Sequence, residues 1–400
     1  MMGQTLNKVK KLAALGLLSL GLAACQGGSL GDGLSGTGNK SLLGLPTLTP
    51  NPQGEVVGQG NVRVSLLLPR TAAGNGAVAA KQIYNGAMLA MQDFGSASLQ
   101  LVIKDTNGNA AGAQAAANQA VQEGSSAILG PLFSSSVNSA SAVTQPAGRP
   151  IIGFSTDTSV ARRGVYLISY TPQDDTRAMM NFASAQDIKT LQVFLPNNAE
   201  GNIREAVIKE TVEARGMRVN ITKFEFSGPG IETAARAAAV WVQSADALYI
   251  PEGGQIPGVI LASLERSGVS TKGKKILGSG KWESVKFDTP ALDGAFYTGR
   301  DVSKFGEFAT RYKSNFSEDA SVLSAIGYDA VTLATTLVRS KGPQAFASET
   351  LEDQKGFAGI NGIFRLRANG TSQRGLAVYQ VTNGAGSIIS PAPGSFTTGF

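Results

Sequence analysis

Histidine is absent from the 400-residue sequence, and cysteine occurs once, at Cys25. Histidine is the usual general base at neutral pH and the commonest zinc ligand, so its absence excludes Ser-His-Asp and Cys-His catalytic arrangements. No spaced pair of acidic residues stands out as a site for carboxylate chemistry. A lone cysteine also excludes an internal disulfide, which leaves burial of apolar side chains as the source of stability. We therefore predict a protein that is not an enzyme and has no metal site and no cofactor.

Charged residues are scarce as well. Asp, Glu, Lys and Arg make up 16% of the sequence, and the formal net charge is +6. Residues 1–24 contain three lysines and no acid, so the remaining chain carries a charge of +3. A charge this small is too weak for a protein that binds nucleic acid, and we predict no such partner. The 42% of hydrophobic residues are enough to build one two-lobed unit or two domains.

The first 24 residues have the layout of a secretion signal. Lysines at positions 8, 10 and 11 precede an apolar run over 12–22 that is too short to span a bilayer as a helix. The run ends in Leu22-Ala23-Ala24-Cys25, which resembles the lipobox of bacterial lipoproteins. That resemblance implies a signal peptide over 1–24 and lipidation of Cys25. The alternative is a cleaved signal beside an incidental cysteine, but the spacing from the apolar run favours lipidation.

The segment after Cys25 has the composition of a linker. Residues 26–59 are mainly Gly, Ser, Leu, Pro, Thr and Asn, with almost no charge and no helical period. We predict a lipidated, disordered tether over 25–60. Such a coil has a root-mean-square span of about 30 Å and a stretched reach of about 115 Å. The folded part can therefore stand well away from its membrane.

Strand and helix patterns alternate over the rest of the chain, in two similar series. This alternation predicts parallel sheets covered by helices on both faces. The first series contains predicted strands at 62–68, 99–104, 127–132 and 151–155 and helices at 77–94, 110–123 and 134–147. The second contains strands at 190–195, 218–226, 245–250 and 275–277 and helices at 179–185, 202–215, 232–243 and 256–267. A strand at 294–299, helices at 304–316 and 321–340, and an antiparallel hairpin of 362–367 with 375–381 complete the prediction.

Two loops at the carboxyl ends of predicted strands are candidate ligand sites. Ligands of open parallel sheets bind at such loops, next to helix N-termini that favour anions. Hydroxyls and backbone donors there could hold a carboxylate. The alternative is that the same residues cap helices, for which Ser, Thr and Asp are preferred, and both roles can coexist. The candidates in the first loop are Ser134, Ser135 and Ser136, and those in the second are Ser155, Thr156 and Asp157.

Several short segments between residues 62 and 380 form a recognisable series. They are Val62–Leu68, Asn85-Gly86-Ala87, Lys104-Asp105-Thr106, Ile128–Ser136, Pro150–Ser155, Gly327-Tyr328-Asp329-Ala330, and Gly362-Ile363-Phe364-Arg365 with Asn369-Gly370. In order and spacing this series resembles type I periplasmic binding proteins, specifically the leucine/isoleucine/valine-binding branch. The resemblance implies an α/β fold of two Rossmann-like lobes, each a parallel sheet flanked by helices, joined by a hinge of three chain segments.

The resemblance also implies where the lobes divide. Lobe I would comprise 61–171 and 300–342, and lobe II would comprise 172–299 and 343–400. The chain would cross between the lobes near 170–172, 299–301 and 341–343. A small ligand would bind in the cleft between the lobes, and its contacts with both of them would close the hinge.

The site residues implied by the resemblance match in lobe I and depart in lobe II. In relatives that bind amino acids, the ligand carboxylate would meet the position of Ser134. Glu200 stands where relatives have an aromatic residue, and no acid aligns near 280–282 with the one that pairs with the ligand ammonium. Glu283 is close, and Glu252 could substitute from an adjacent loop. A buried zwitterion needs both of its charges paired.

Two functions follow from this resemblance. The first is an extracytoplasmic solute-binding lipoprotein that captures a small polar ligand, such as an amino acid, for the permease of an ABC importer. The second is a lipoprotein activator of a penicillin-binding protein, because the loops at 249–254 and 280–282 resemble those of activators that bind peptidoglycan synthases. We favour the first. Gln26 resembles an outer-membrane address of Gram-negative lipoproteins, so we expect a periplasm-facing, lipid-anchored protein of the cell envelope, in the outer membrane if the cell is Gram-negative.

Overall fold

The computed structural model describes residues 51–95 and 97–396. The predicted signal peptide, Cys25 and most of the predicted tether lie outside the described residues. The strands are β1 Glu55–Val57, β2 Val62–Leu68, β3 Leu99–Asp105, β4 Ala127–Leu129, β5 Ile151–Gly153, β6 Val165–Leu167, β7 Thr190–Pro196, β8 Arg218–Phe224, β9 Ala247–Tyr249, β10 Lys275–Gly278, β11 Phe296–Gly299, β12 Phe357–Gly359, β13 Gly362–Leu366, β14 Ser372–Arg374, β15 Ala377–Thr382 and β16 Ala385–Ser390. The α-helices are α1 Asn75–Ala90, α2 Ala110–Gln122, α3 Ser134–Thr144, α4 Pro172–Ala185, α5 Ala199–Glu213, α6 Gly228–Ser244, α7 Ile256–Arg266, α8 Phe305–Phe316, α9 Val322–Lys341 and α10 Ser348–Leu351.

Lobe I is built on a six-stranded sheet with the order β1-β3-β2-β4-β5-β6. Strand β2 lies near its centre, runs parallel to β3 and β4, and has every residue buried. Its nearly continuous apolar sequence suits a strand that is covered on both faces. Helices α1 and α9 pack into the apolar core on one face, and α2 and α3 pack into the core on the other.

Lobe II is built on a seven-stranded sheet with the order β16-β15-β11-β10-β9-β7-β8. The strands from β7 to β11 are parallel, whereas β15 and β16 are antiparallel to their neighbours. Helices α4 and α5 pack on one face of this sheet, and α6 and α7 pack on the other. The predicted fold class of two α/β lobes is therefore confirmed.

The folded part begins earlier than predicted. Residues Glu55–Val57 form β1, which pairs antiparallel with β3 at the edge of the lobe I sheet. The N–H of Gln53 donates to Glu123 (2.8 Å), and its carbonyl accepts from Lys104 (2.7 Å). The prediction that the tether runs to residue 60 is corrected, because ordered contacts begin at Gln53. A strand of three residues is too short to show its period of two in the sequence.

The third chain crossing also differs from the prediction, which placed it near 341–343 and assigned 343–400 to lobe II. In the structure the chain crosses at Gly375-Leu376, between β14 and β15. The segment before that crossing belongs with lobe I because its apolar side chains complete the lobe I core. The buried residues that show this are Ala345, Leu351, Phe364 and Leu366.

The predicted hairpin of 362–367 with 375–381 is wrong in its pairing. Strand β13 pairs with β14, with Phe364 opposite Arg374, whereas β15 joins the lobe II sheet between β11 and β16. Arg374 holds the small sheet against lobe I, since its Nε donates to the Ile168 carbonyl (3.1 Å) and its guanidinium lies 4.2 Å from the ring centroid of Tyr170. Alternation in the sequence predicts a strand but does not identify its partner.

Helices α1 and α9 approach each other closely at two glycines. A Cβ atom on Gly86 would lie 1.8 Å from the Ser324 carbonyl oxygen, and one on Gly327 would lie 2.1 Å from that of Ile83. Because only glycine permits so close a contact between backbones, both positions are fixed by packing. This gives a physical reason for two of the segments on which the family resemblance rests.

Asp329 is a buried carboxyl where α9 meets the small sheet of β12, β13 and β14. The residue is 2% exposed, its Oδ1 accepts the N–H of Ile360 at 2.8 Å, and its Oδ2 has no partner among the described residues. Burial raises the pKa of Asp329 to about 7, although Arg374 lowers it in part. The folded chain therefore holds this proton over a pH range in which the unfolded chain has lost it.

We expect this carboxyl to make the protein less stable as the pH rises from about 4 to about 7. Asp329→Asn keeps an acceptor for the Ile360 N–H but does not ionise. Its free energy of unfolding should exceed that of the native chain by up to about 4 kcal/mol at pH 8 and nearly equal it at pH 4. Urea denaturation at both pH values measures the difference. Asp319→Asn, at a side chain that is 86% exposed, is the control, and the same pH dependence in all three chains would contradict the expectation.

Candidate ligand-binding site

A cavity of about 370 Å³ lies between the lobes at the hinge. All three chain crossings line it, through Tyr170-Thr171, Arg300 and Leu376. The beginning of α4, the first turns of α5 and the turn after β10 line it from lobe II. The other polar and charged residues in its lining are Thr156, Asp174, Asp175, Glu200, Arg204, Lys281 and Glu283.

A second cavity of about 520 Å³ lies on the lobe I side. Thr156, Tyr170 and Val322 line both cavities, so the two adjoin. Together they form what we call the interlobe cleft. Four of the predicted site residues line the second cavity, namely Ser134, Ser155, Thr156 and Asp157.

Ser134 is the first residue of α3, and no side-chain hydrogen bond caps this helix. The first backbone N–H groups of a helix lack partners within the helix and favour an anion. The carboxylate of Asp157 is nearby, and hydrogen bonds from Ser159 and from Ser134 hold the pKa of Asp157 below its ordinary range. A negative charge of the chain itself is therefore present next to the start of α3.

The predicted capping role is present in the second loop. The N–H of Asp157 donates to the hydroxyl of Ser155 (3.1 Å), and the carboxylate of Asp157 accepts the N–H of Ser159 (3.0 Å). These contacts fix the loop at the end of β5. Capping and cleft lining thus coincide at Ser155 and Asp157, as the sequence allowed.

Ser135 and Ser136 do not reach the cleft. Ser135 is exposed, whereas Ser136 is buried. The Ser136 hydroxyl donates a hydrogen bond to the Asn109 carbonyl (3.4 Å). Neither residue lines either cavity of the cleft. Successive residues of a helix point about 100° apart, so only Ser134 of the three faces the ligand space.

A buried ion-pair network forms the floor of the cleft in lobe II. The Arg204 side chain is 2% exposed and pairs with Asp175 (2.8 Å) and Glu200 (3.0 Å). It also donates to the hydroxyls of Thr176 (2.9 Å) and Tyr249 (3.3 Å). Burial lowers the pKa of Arg204, but Tyr249, Asp175 and Glu200 raise it by more. The guanidinium therefore stays charged.

Asp175 connects this network to the strands of lobe II. One of its oxygens pairs with Arg204, and the other accepts the N–H of Gly280 (3.0 Å) and the hydroxyl of Thr298. Neither Asp175 nor Arg204 was predicted from the sequence. They lie on different helices, 29 residues apart, and nothing in the local pattern distinguishes them from surface charges.

Glu200 and Glu252, the two acids predicted for lobe II, share one lysine. The Lys281 ammonium lies 2.8 Å from Glu200 and 3.0 Å from Glu252. Burial raises the pKa of Glu200, but Arg204 and Lys281 lower it by more. The net effect is a lowered pKa, so the carboxyl is ionised at neutral pH. Glu200 lines the cleft, whereas Glu252 is buried and lines neither cavity.

The remaining acids of the cleft differ in their pairing. Glu283 pairs with Arg300 at 2.6 Å, and Arg300 also donates to Asn361 (3.3 Å). Asp174 accepts a hydrogen bond from the Thr171 hydroxyl (3.0 Å) and forms no ion pair with a described residue. Burial raises the pKa of Asp174 to about 6. Lobe II thus offers a ligand few charges that the chain has not already paired.

Residues 51–95 and 97–396 contain neither a cluster of metal-ligating side chains nor a helix suited to cross a membrane. This part of the chain contains no group of three or more acidic, histidine or cysteine side chains placed to hold a metal ion. None of its helices is both long and apolar enough to cross a membrane.

The fold and the interlobe cleft agree with a known family of proteins. The family model described as periplasmic binding protein matches residues 61–386. The match covers most of the chain, so this protein belongs to the periplasmic binding protein family, as the sequence motifs predicted. No protein of curated function matches the sequence.

Solved structures with a similar fold include three bacterial proteins. A putative branched-chain amino acid ABC transporter protein from Rhodospirillum rubrum has a TM-score of 0.69 at 17% identity, covering 82% of this chain and 99% of that one. A leucine binding protein from Thermotoga maritima has a TM-score of 0.55 at 20% identity, covering 83% and 98%. A solute binding protein from Rhodopseudomonas palustris, in complex with 3,4-dihydroxybenzoic acid, has a TM-score of 0.56 at 18% identity, covering 83% and 96%. At such identities the similarity concerns the fold.

Proposed function

We propose that this protein is an extracytoplasmic solute-binding lipoprotein that captures a small polar molecule of amino-acid size and delivers it to the permease of an ABC importer. The observation that carries the proposal is that both lobes and all three chain crossings line the cleft. A ligand that contacts both lobes would stabilise their closed arrangement and so couple binding to hinge motion. Family membership supports binding rather than catalysis as the task of the cleft.

The proposal includes a lipid anchor at Cys25 and a periplasm-facing position in the cell envelope, in the outer membrane if the cell is Gram-negative. The motif around Cys25 supports it. Ordered contacts begin at Gln53, so the proposed tether comprises residues 26–52. Its root-mean-square span is still close to 30 Å, since the span of a coil grows only with the square root of its length.

A thermal-shift panel tests the binding role. A small molecule present at 100 times its dissociation constant should raise the free energy of unfolding by about 2.7 kcal/mol, which is visible as a higher melting temperature. The panel contains amino acids and their analogues without the amino group. No response across the whole panel would count heavily against a solute receptor.

We expect Ser134→Ala to reduce or abolish the shift that an active compound produces in the native protein. Ser134 lines the cleft at the first turn of α3, and its hydroxyl is the predicted contact of a ligand carboxylate. Ser135→Ala is the matched control, since the next residue is exposed and lies outside both cavities. An equal shift in Ser134→Ala and Ser135→Ala would remove Ser134 from the site.

The second candidate is an activator that uses the same fold to bind a peptidoglycan synthase. The internal pairing of Glu200, Glu252 and Glu283 supports it, because a surface for protein partners does not need unpaired acids for a ligand ammonium. Affinity capture from cell envelopes should then recover a penicillin-binding protein. Recovery of a permease alone would exclude this role.

A further inference from the structure

We propose that Lys281 determines the ligand class, because its ammonium occupies the position between Glu200 and Glu252 that a ligand's ammonium would take. The cleft therefore selects small polar ligands that carry no cationic amine. This inference rests on the proposed solute-binding function and narrows it to one class of ligand.

The Lys281 ammonium uses all three of its donor hydrogens on Glu200 and Glu252. The Lys281 Nζ lies 2.8 Å from Glu200 Oε2 and 3.0 Å from each carboxylate oxygen of Glu252. An ammonium has three donor hydrogens, and charge-assisted hydrogen bonds of this length are strong. The Glu252 side chain is 8% exposed while that of Lys281 is 37% exposed. Lys281 therefore lies over the acid and separates it from the cleft.

The backbone holds Lys281 in this position. The hydroxyl of Ser279 accepts the Lys281 N–H (3.1 Å), and the buried Trp282 donates from its indole to the Ile250 carbonyl (2.9 Å). A Cβ atom on Gly253 would lie 2.6 Å from the Lys281 carbonyl oxygen. The turn that carries Lys281 and the loop that carries Glu252 are thus packed directly together, so the backbone from which the Lys281 side chain extends is fixed next to Glu252.

An amine ligand finds few unpaired acids in lobe II. Glu283 pairs with Arg300, and Asp175 pairs with Arg204. To reach Glu252, a ligand ammonium would have to displace Lys281 and leave a second positive charge beside it. Like charges at such short distances repel, most strongly where water is excluded. Two acids of the cleft form no ion pair with a described residue, Asp174 in lobe II and Asp157 in lobe I, so the experiment includes both.

Chemical rescue of Lys281→Ala tests the position directly. This change removes the atoms of n-propylammonium, so that ion should raise the melting temperature of Lys281→Ala by several degrees. Tetramethylammonium at equal concentration has no N–H donor and should not raise the melting temperature.

The native protein and Lys209→Ala are the controls and should not respond to either ion. Lys209 pairs with Glu205 at the surface, where the Lys209 side chain is 64% exposed. Equal effects of the two ions on Lys281→Ala would overturn the inference. If Lys281→Ala does not fold, Lys281→Met takes its place in the ligand panel alone, because its side chain fills the space that n-propylammonium would occupy.

A ligand panel tests the selectivity. In the native protein, amino acids should produce no shift, whereas at least one matched carboxylate or amide without the amino group should. Lys281→Ala should gain a response to amino acids, and Asp174→Asn and Asp157→Asn should each keep the native pattern. The inference would be overturned if an amino acid stabilised the native protein and the matched compound without the amino group did not. That result would still support the proposed function. Rescue by n-propylammonium without a native response to any compound would support the role of Lys281 and contradict the solute receptor.

Discussion

Arg204→Met should lower the free energy of unfolding by about 3–5 kcal/mol, the largest loss we expect from a single charged residue of the cleft. The guanidinium is 2% exposed and pairs with both Asp175 and Glu200. Methionine has a similar length but no charge, so it leaves Asp175 buried without its cation. The cost comes from that unpaired charge rather than from the ion pair itself, because removing one partner of a buried pair is far more destabilising than replacing both.

Urea denaturation followed by fluorescence measures this loss, since Trp282 is buried in the core of lobe II. Arg177→Met is the matched control. Arg177 pairs with Glu210, whose side chain is 68% exposed, and exposed pairs contribute only about 0–1 kcal/mol. Similar losses in Arg204→Met and Arg177→Met would show that the network does not stabilise lobe II as described.

Gly86→Ala should lower the free energy of unfolding by about 3 kcal/mol or more. This loss is at the upper end of the range for an added methyl group in a packed interior. The new Cβ would lie 1.8 Å from the Ser324 carbonyl oxygen. Backbone atoms cannot rotate away as a side chain can, so α1 and α9 would have to separate. Their separation would open the lobe I core, which both helices help to form.

The control for this prediction is Gly306→Ala in α8. A Cβ atom there would have nothing within 4 Å, so the change should leave stability unchanged or raise it by up to about 1 kcal/mol through helix propensity. The free energy of unfolding of both variants is measured by urea denaturation. If Gly86→Ala is as stable as Gly306→Ala, the close approach of α1 and α9 is not a constraint on the fold.

The sequence predicted the regular part of the fold well because its signals are local. Strand β2 is a continuous apolar run, and α2 repeats small apolar residues at helical spacing, so each reveals its own type. Strands β1, β6, β12, β14 and β16 were missed. Four of them have only three residues, and the residues of β16 are all exposed, so none carries a clear period.

The wrong third crossing has a different cause. Strand β15 has the alternation of a strand that faces a core on one side, and the turn near Asn369-Gly370 suggests a hairpin. Which sheet receives β15 depends on the packing of Phe364 and Leu366 against lobe I and on the contacts of Arg374 with Ile168. These contacts join residues roughly 200 positions apart, so no local pattern contains them.

The candidate site also has a part that could be predicted from the sequence and a part that could not. Ser134, Ser155, Thr156 and Asp157 were identified from their places at the ends of predicted strands, and the structure brings them together on the lobe I side of the cleft. In lobe II, the sequence identified Glu200 and Glu252 but not the residue that joins them. The role of Lys281 arises where the first turn of α5, the loop after β9 and the turn after β10 meet, and it is visible only in the folded chain.

The central claim is that a small molecule binds between the lobes, and a blocked cleft tests it most directly. Thr156 is exposed and lines both cavities, so Thr156→Trp should fill the ligand space without disturbing a core. Thr233→Trp places the same side chain at an exposed position of α6 as a control. We predict that a compound that raises the melting temperature of the native protein and of Thr233→Trp will have no effect on Thr156→Trp. A shift of equal size in all three proteins would contradict binding in the interlobe cleft.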